Sequence, residues 1–197
     1  MKIAKHAKLG ILGGTFNPVH VGHLILAQES AEKLGLDKVV FVPSNIPPHK
    51  SETSVIKAED RYNMLLFAIQ GNPLFEVSRL EIERPGRSYS VESMKEFRIV
   101  YGKEAGLFFI TGSDSLKEIS TWKDLKGIFK LVKFVVAERE GYPLEGVPEE
   151  AQVIRITPIG ISSSLIRERI GKSRSIRYLV PDGVLGYIEE KRLYRTC

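Results

Sequence analysis

A chain of 197 residues with 43% hydrophobic and 27% charged side chains can bury one substantial core, and its composition is that of an ordinary globular protein. The single cysteine, Cys197, excludes a disulfide framework and a thiolate metal cluster, which fits a reducing cytoplasm. The net charge of +5 comes from basic residues scattered along the chain, not from a block interleaved with aromatics. It therefore points to small anionic ligands and away from nucleic acid.

Near the start, the first apolar stretch is broken at once by Gly10, Gly13 and Gly14, so neither a signal peptide nor a membrane span is expected. Leu9 to Leu12 reads as a strand, followed by a Gly-Gly turn and a helix from about His20 to Leu34 that stops at Gly35. Val39 to Val42 is a second strand. Pro43, Pro47 and Pro48 enforce a loop before a helix over Lys57 to Ile69. Phe75 to Ser78 and Leu80 to Glu83 read as short strands, and Ser90 to Val100 as a helix. Leu107 to Thr111 is a buried strand, and Leu116 to Phe129 holds one or two short helices. Phe134 to Ala137 and Val153 to Ile156 complete the strands, and helices are expected over Ser163 to Ile170 and Val184 to Lys191. Strands alternating with helices give an α/β fold, Rossmann-like and doubly wound, with a mostly parallel sheet and helices on both faces. A single domain over 1–197 is expected, its ligand site at the carboxyl ends of the strands.

The stretch Gly13-Gly14-Thr15-Phe16-Asn17-Pro18-Val19-His20-Val21-Gly22-His23 is the most informative. Glycines after a strand let a phosphate-bearing ligand approach the main chain, and Gly22 leaves room for a ribose or base against the helix. With the helix starting near His20, His20 and His23 share one face of its first turn, where free N–H groups and the macrodipole favour an anion. Two other readings stand beside this one: a glycine turn with incidental histidines, and a zinc pair. His6 and His49 have no spacing that completes a four-ligand zinc set.

The second constellation is Ile161-Ser162-Ser163-Ser164-Leu165-Ile166-Arg167, in the C-terminal helical part of about 160–197. Serines cap a helix start, the same N–H groups and hydroxyls can hold phosphate, and Arg167 adds a bidentate charge one turn in. By itself this is equally an N-cap followed by a surface arginine. Two such helix starts, each beside a strand end, suit a triphosphate clamped from two sides.

These residues resemble the bacterial nicotinate-nucleotide adenylyltransferases of the HIGH-motif nucleotidyltransferase superfamily. Residues 13–23 are similar to that family's GGTFDPxHxGH signature and 161–167 to its ISSTxIR signature. Pro47-Pro48-His49-Lys50, Arg84 to Ser90, Gly112-Ser113-Asp114 and Thr121-Trp122 match in order and spacing, so the resemblance covers nearly the whole chain. It departs at Asn17, where the family has aspartate, and at Ser164, where it has threonine. Serine keeps the hydroxyl, and Asn17 is read as a loop-shaping residue.

The resemblance implies adenylyl transfer from ATP, with Mg²⁺, to nicotinate mononucleotide, giving nicotinate adenine dinucleotide and pyrophosphate in NAD biosynthesis. By the same resemblance His20, His23, Lys50 and Arg167 carry catalysis. ATP is bound by Gly13, Gly14, Thr15, Phe16, His20, Gly22, His23, Ser162, Ser163, Ser164 and Arg167. Lys50, Ser88, Tyr89, Ser90, Asp114 and Trp122 bind the nicotinate nucleotide, with Trp122 stacked on the pyridine ring, and no protein side chain is assigned to metal. From residue type alone, Lys50 is also a solvated loop lysine, Asp114 a helix N-cap and Trp122 a core residue. A phosphopantetheine or flavin-nucleotide adenylyltransferase shares the first motif but lacks the Pro-Pro-His-Lys and Trp features. A noncatalytic sensor or RNA-binding protein on the same fold fits poorly with both histidines, Lys50 and Arg167 in place.

Overall fold

The computed structural model describes residues 8–47, 55–138 and 141–195. In chain order the elements are β1 (Lys8–Gly14), α1 (Val21–Leu34), β2 (Lys38–Pro43), α2 (Ala58–Ala68), β3 (Phe75–Val77), α3 (Leu80–Glu83) and α4 (Ser90–Tyr101). There follow β4 (Gly106–Gly112), a 3-10 helix (Ser113–Thr121), α5 (Leu125–Leu131), β5 (Lys133–Glu138), β6 (Gln152–Arg155), α6 (Ser163–Gly171) and α7 (Asp182–Glu190). Among the described residues the strands form one six-stranded sheet in the order β3-β2-β1-β4-β5-β6. Every pairing is parallel.

The central strands are continuous apolar runs because both faces of the sheet are covered. Alternate residues serve opposite cores. Leu9 and Ile11 of β1, Val40 and Val42 of β2, Leu107 and Phe109 of β4, and Phe134 and Val136 of β5 pack with residues of α4, α5 and the 3-10 helix. Leu12, Val39, Phe41, Phe108, Ile110, Val135 and Ala137 pack on the other face with α1, α2, α6 and α7. Gly10 belongs to that second face, where a Cβ would come within 2.7 Å of Leu36 and 2.8 Å of Ile110.

Chain order and sheet order together place the site. After β1 the chain crosses to the α1 face, whereas after β4 it enters the 3-10 helix and α5 on the opposite face. The neighbouring strands β1 and β4 thus send their connections in opposite directions, and a crevice opens at their carboxyl ends.

One expected strand is a helix. Leu80–Glu83 forms the single turn α3, started by the Ser78 hydroxyl, which accepts from the Leu80 N–H at 3.2 Å. Glu81 and Glu83 sit in that turn, where acidic groups complement the helix dipole. The expected Gly-Gly turn is also absent: Gly13 and Gly14 still belong to β1, in register with Val42 and Pro43. No helix among the described residues is long and apolar enough to cross a membrane.

Candidate active site

The crevice at the ends of β1 and β4 holds a cleft of about 430 Å³. Its lining includes Gly13, Gly14, Thr15, Phe16, His20, His23, Ser88, Tyr89, Ser90, Asp114, Trp122, Ser162, Ser163, Ser164 and Arg167. Segments as far apart in the chain as Gly13 and Arg167 thus converge on one space. Of the residues singled out from sequence, Gly22 does not line the cleft and Lys50 lies outside the described residues.

The loop from Thr15 to His20 leads into α1. Phe16 has a positive φ of 49°, which turns its ring into the core, 5.8 Å from the Phe41 ring and 5.0 Å from that of His23. A Cβ on Gly14 would lie 2.9 Å from the Phe16 ring, and one on Gly13 would lie 3.3 Å from Phe109. These glycines therefore make space for the protein's own rings at the cleft wall. A Cβ on Gly22 would meet the His20 ring at 3.1 Å and Ile159 at 3.7 Å, so glycine lets that ring lie close against the start of α1.

His20 is the N-cap of α1 and His23 its N3 residue. Their rings are in contact, tilted by 32° with centroids 3.8 Å apart. The His20 backbone N–H donates to His23 Nδ1 at 3.2 Å. With Nδ1 accepting, the neutral His23 ring carries its proton on Nε2, which is thereby a donor. No acidic residue occupies the first turn of α1, so its positive end is not neutralised from within the helix.

The second expected helix start forms as the sequence implies. Ser162 is the N-cap of α6 and its hydroxyl accepts from the Leu165 N–H at 3.1 Å. Ser163 Oγ donates to the Pro18 carbonyl at 2.8 Å, and Arg167 donates from Nη1 to the Asn17 carbonyl at 2.7 Å and from Nη2 to Ser164 Oγ at 3.2 Å. The two motifs are therefore bonded directly to each other. Arginine carries five N–H donors, so these two bonds leave others for an anion. Among the described residues Arg167 makes no ion pair with a carboxylate.

Across the cleft, Tyr89 is the N-cap of α4 and Ser90 its first residue, which turns the N–H groups of that helix start toward the same space. Lys123 Nζ lies 4.7 Å from the centre of the Tyr89 ring and 3.3 Å from Glu92. Trp122 closes the 3-10 helix and is half-buried, its ring 5.8 Å from Phe109 and 6.0 Å from Phe134. It is both a support for the core and a wall of the cleft. Ser88 is buried, and its Oγ accepts from the Asn45 N–H at 2.9 Å, which ties this wall to the loop after β2.

Two buried residues, Glu81 and Arg61, and the half-buried Tyr194 carry no sequence signal. Glu81 lines the cleft from α3, accepts from the Ser93 hydroxyl and faces Arg84 at 3.8 Å. Burial pushes its carboxyl above the usual range, against the hydroxyls of Ser93 and Ser88 and the charge of Arg84. Arg61, 1% exposed, donates to the carbonyls of Ile56 at 3.1 Å, Thr15 at 2.8 Å and Asn45 at 2.9 Å. Burial lowers it to about 10, which leaves it charged near neutral pH. The Tyr194 hydroxyl donates to Asn17 Oδ1 at 3.0 Å, and burial pushes this phenol far up. An Arg among the polar residues Glu59, Asp60 and Asn63 of α2 and a Tyr near the chain's end have no pattern that marks them. Asn17 is 3% exposed and its Oδ1 also accepts from the Ile56 N–H at 3.5 Å, which supports its reading as a loop-shaping residue.

The sequence profile of the cytidylyltransferase-like family matches residues 11–169. A "Probable nicotinate-nucleotide adenylyltransferase" of Moorella thermoacetica is 42% identical over 204 residues, covering 98% of this chain and 94% of that protein. One of the same description from Frankia casuarinae is 47% identical over 188 residues, covering 93% and 98%. Among solved structures, Plasmodium falciparum nicotinic acid mononucleotide adenylyltransferase complexed with NaAD superposes with a TM-score of 0.80 at 19% identity, covering 96% of this chain and 98% of that one. Matched in fold by that structure and along nearly its whole length by those relatives, the chain belongs to the nicotinate-nucleotide adenylyltransferase family of cytidylyltransferase-like nucleotidyltransferases.

Proposed function

We propose that the protein transfers the adenylyl group of ATP to nicotinate mononucleotide, forming nicotinate adenine dinucleotide and pyrophosphate. The observation that carries this reading is the bonded pair of helix starts, His20 to His23 on α1 and Ser162 to Arg167 on α6, at the carboxyl end of β1. The acceptor's 5'-phosphate is an anion near neutral pH, so it attacks the α-phosphorus without a deprotonating base. One P–O bond forms to the acceptor as the bond to the leaving pyrophosphate breaks. Catalysis is then positioning and charge stabilisation. His20, His23 and Arg167 donate to the phosphates as charge shifts to the leaving group. Thr15, Phe16 and the serines of α6 shape their seat, and Lys50 takes its phosphate role from the family resemblance alone.

Among the described residues no three His, Cys, Asp or Glu side chains converge as a metal cage. Mg²⁺ is normally held by one or two carboxylates plus substrate phosphates, so it is proposed to arrive on ATP, with Asp114 the carboxylate nearest in role. When bound, it would supply charge that offsets the departing pyrophosphate. The acceptor is placed against Trp122, Tyr89, Ser88 and Ser90. With Glu92 in the first turn of α4 and paired to Lys123, the preference for nicotinate rests on neutral backbone donors near Tyr89 and Ser90, which a carboxylate can accept and the NH₂ of the amide cannot. The whole chain is taken as one nucleotidyltransferase domain acting in the cytoplasm, with 160–197 supplying the second phosphate element and neither nucleic acid nor membrane as partner. Incubation of the folded protein with ATP, Mg²⁺ and nicotinate mononucleotide is expected to give dinucleotide and pyrophosphate in equal amounts. Absence of both overturns the assignment.

A further inference from the structure

The phosphate-binding loop is held from the end of the chain. After α7, Arg192 and Tyr194 adopt positive φ values of 51° and 62°, which turns the backbone back and brings the Tyr194 ring against the core on the α1 face. Its hydroxyl meets Asn17 Oδ1 at 3.0 Å, and the carbonyl of that same Asn17 receives Arg167 Nη1 at 2.7 Å. α7 itself is docked on α2 through Tyr187, whose hydroxyl donates to Asp60 at 2.9 Å and accepts from Asn63 at 3.2 Å. The chain leaving α7, itself tied to α2, thus ends on Asn17, which also holds the guanidinium that lines the cleft.

We infer that Tyr194 is a positioning residue for ATP: through Asn17 it fixes where the Arg167 charge sits. Burial holds the phenol protonated, so it remains a donor throughout the working pH range. Asn17 suits this arrangement, because its amide oxygen accepts the phenol's hydrogen bond without adding a negative charge beside Arg167. Tyr194 touches neither the cleft nor, on this account, any substrate. The inference rests on the proposed adenylyl transfer only for its turnover readout.

The test is a double-mutant cycle of Tyr194→Phe and Arg167→Lys, with Mg²⁺ and ATP titrated calorimetrically and turnover measured with nicotinate mononucleotide. Phenylalanine keeps the ring's packing and removes one hydrogen bond, which corresponds to an effect of about three- to tenfold. The expected result is that Tyr194→Phe weakens ATP binding and lowers kcat/KM for ATP by that factor, with the acceptor's KM changed by less than about twofold. In the Arg167→Lys background the same change should fall below about twofold, because the group it positions is altered. An equal factor in both backgrounds, or a lower melting temperature with unchanged ATP binding, overturns the inference. If the wild-type protein binds ATP but makes no dinucleotide, the acceptor assignment fails, and the binding cycle still decides the role of Tyr194.

Discussion

His20 and His23 form a single unit in which one backbone amide sets the other residue's ring. The bond from His20 N–H to His23 Nδ1 and the ring contact at 3.8 Å fix how the His23 ring is oriented at the cleft. Donors placed for a charge that grows in the transition state act on turnover more than on binding, and removing one typically costs ~10² to 10³ in kcat. His20→Ala and His23→Ala are therefore expected to lower kcat by about that factor with small changes in KM. A variant that keeps near wild-type turnover removes that histidine from the mechanism. Trp122 makes a different prediction, because it packs on Phe109 and Phe134 while also facing the cleft. If its exposed face stacks on the pyridine ring, Trp122→Ala loses a contact of about 0.5–1.5 kcal/mol beyond burial. The acceptor's KM should rise several-fold with that of ATP unchanged. A large fall in melting temperature with unaltered acceptor kinetics returns this residue to the core alone.

At the scale of elements, α3 shows where sequence reading stops. Four residues alternating apolar and acidic, Leu80 to Glu83, fit a strand and one helical turn equally well, and the choice is made by Ser78 at its start and by the burial of Glu81. A buried acid with a raised pKa has a definite consequence. The native state binds its proton more tightly than the unfolded chain does, so stability falls as pH rises from the ordinary glutamate value of about 4.3 through the native pKa. Glu81→Gln removes that term. Its melting temperature relative to wild type should therefore improve between pH 4 and pH 8, whereas a constant difference across that range contradicts the raised pKa. The long elements were legible because their periodicity is set by burial, and the α6 cap because Ser-Ser-Ser before Leu-Ile-Arg has few alternatives. That Gly13, Gly14 and Gly22 each lie against one of the protein's own rings was not legible, since it depends on which rings the fold brings beside them.

For the whole molecule, both the sheet order and the site follow from one topological fact, that β1 and β4 are neighbours whose connections leave on opposite faces. Strand and helix alternation made the α/β class and the carboxyl-end site legible. Arg61 and Tyr194 were not, because each binds partners that the fold alone brings near: Thr15 and Asn45 for the arginine, Asn17 for the tyrosine. Together with Arg167 and Ser163 they lock the loop after β1 into one conformation, and this preorganisation is what a mechanism of positioning and charge requires. The central claim is most directly tested by kcat/KM, with ATP and Mg²⁺ fixed, for nicotinate mononucleotide, nicotinamide mononucleotide, phosphopantetheine and flavin mononucleotide. Dinucleotide and pyrophosphate are expected, with nicotinate mononucleotide as the best acceptor and the amide slower. Faster reaction with phosphopantetheine or flavin mononucleotide, or pyrophosphate release with none of the four, would contradict that claim.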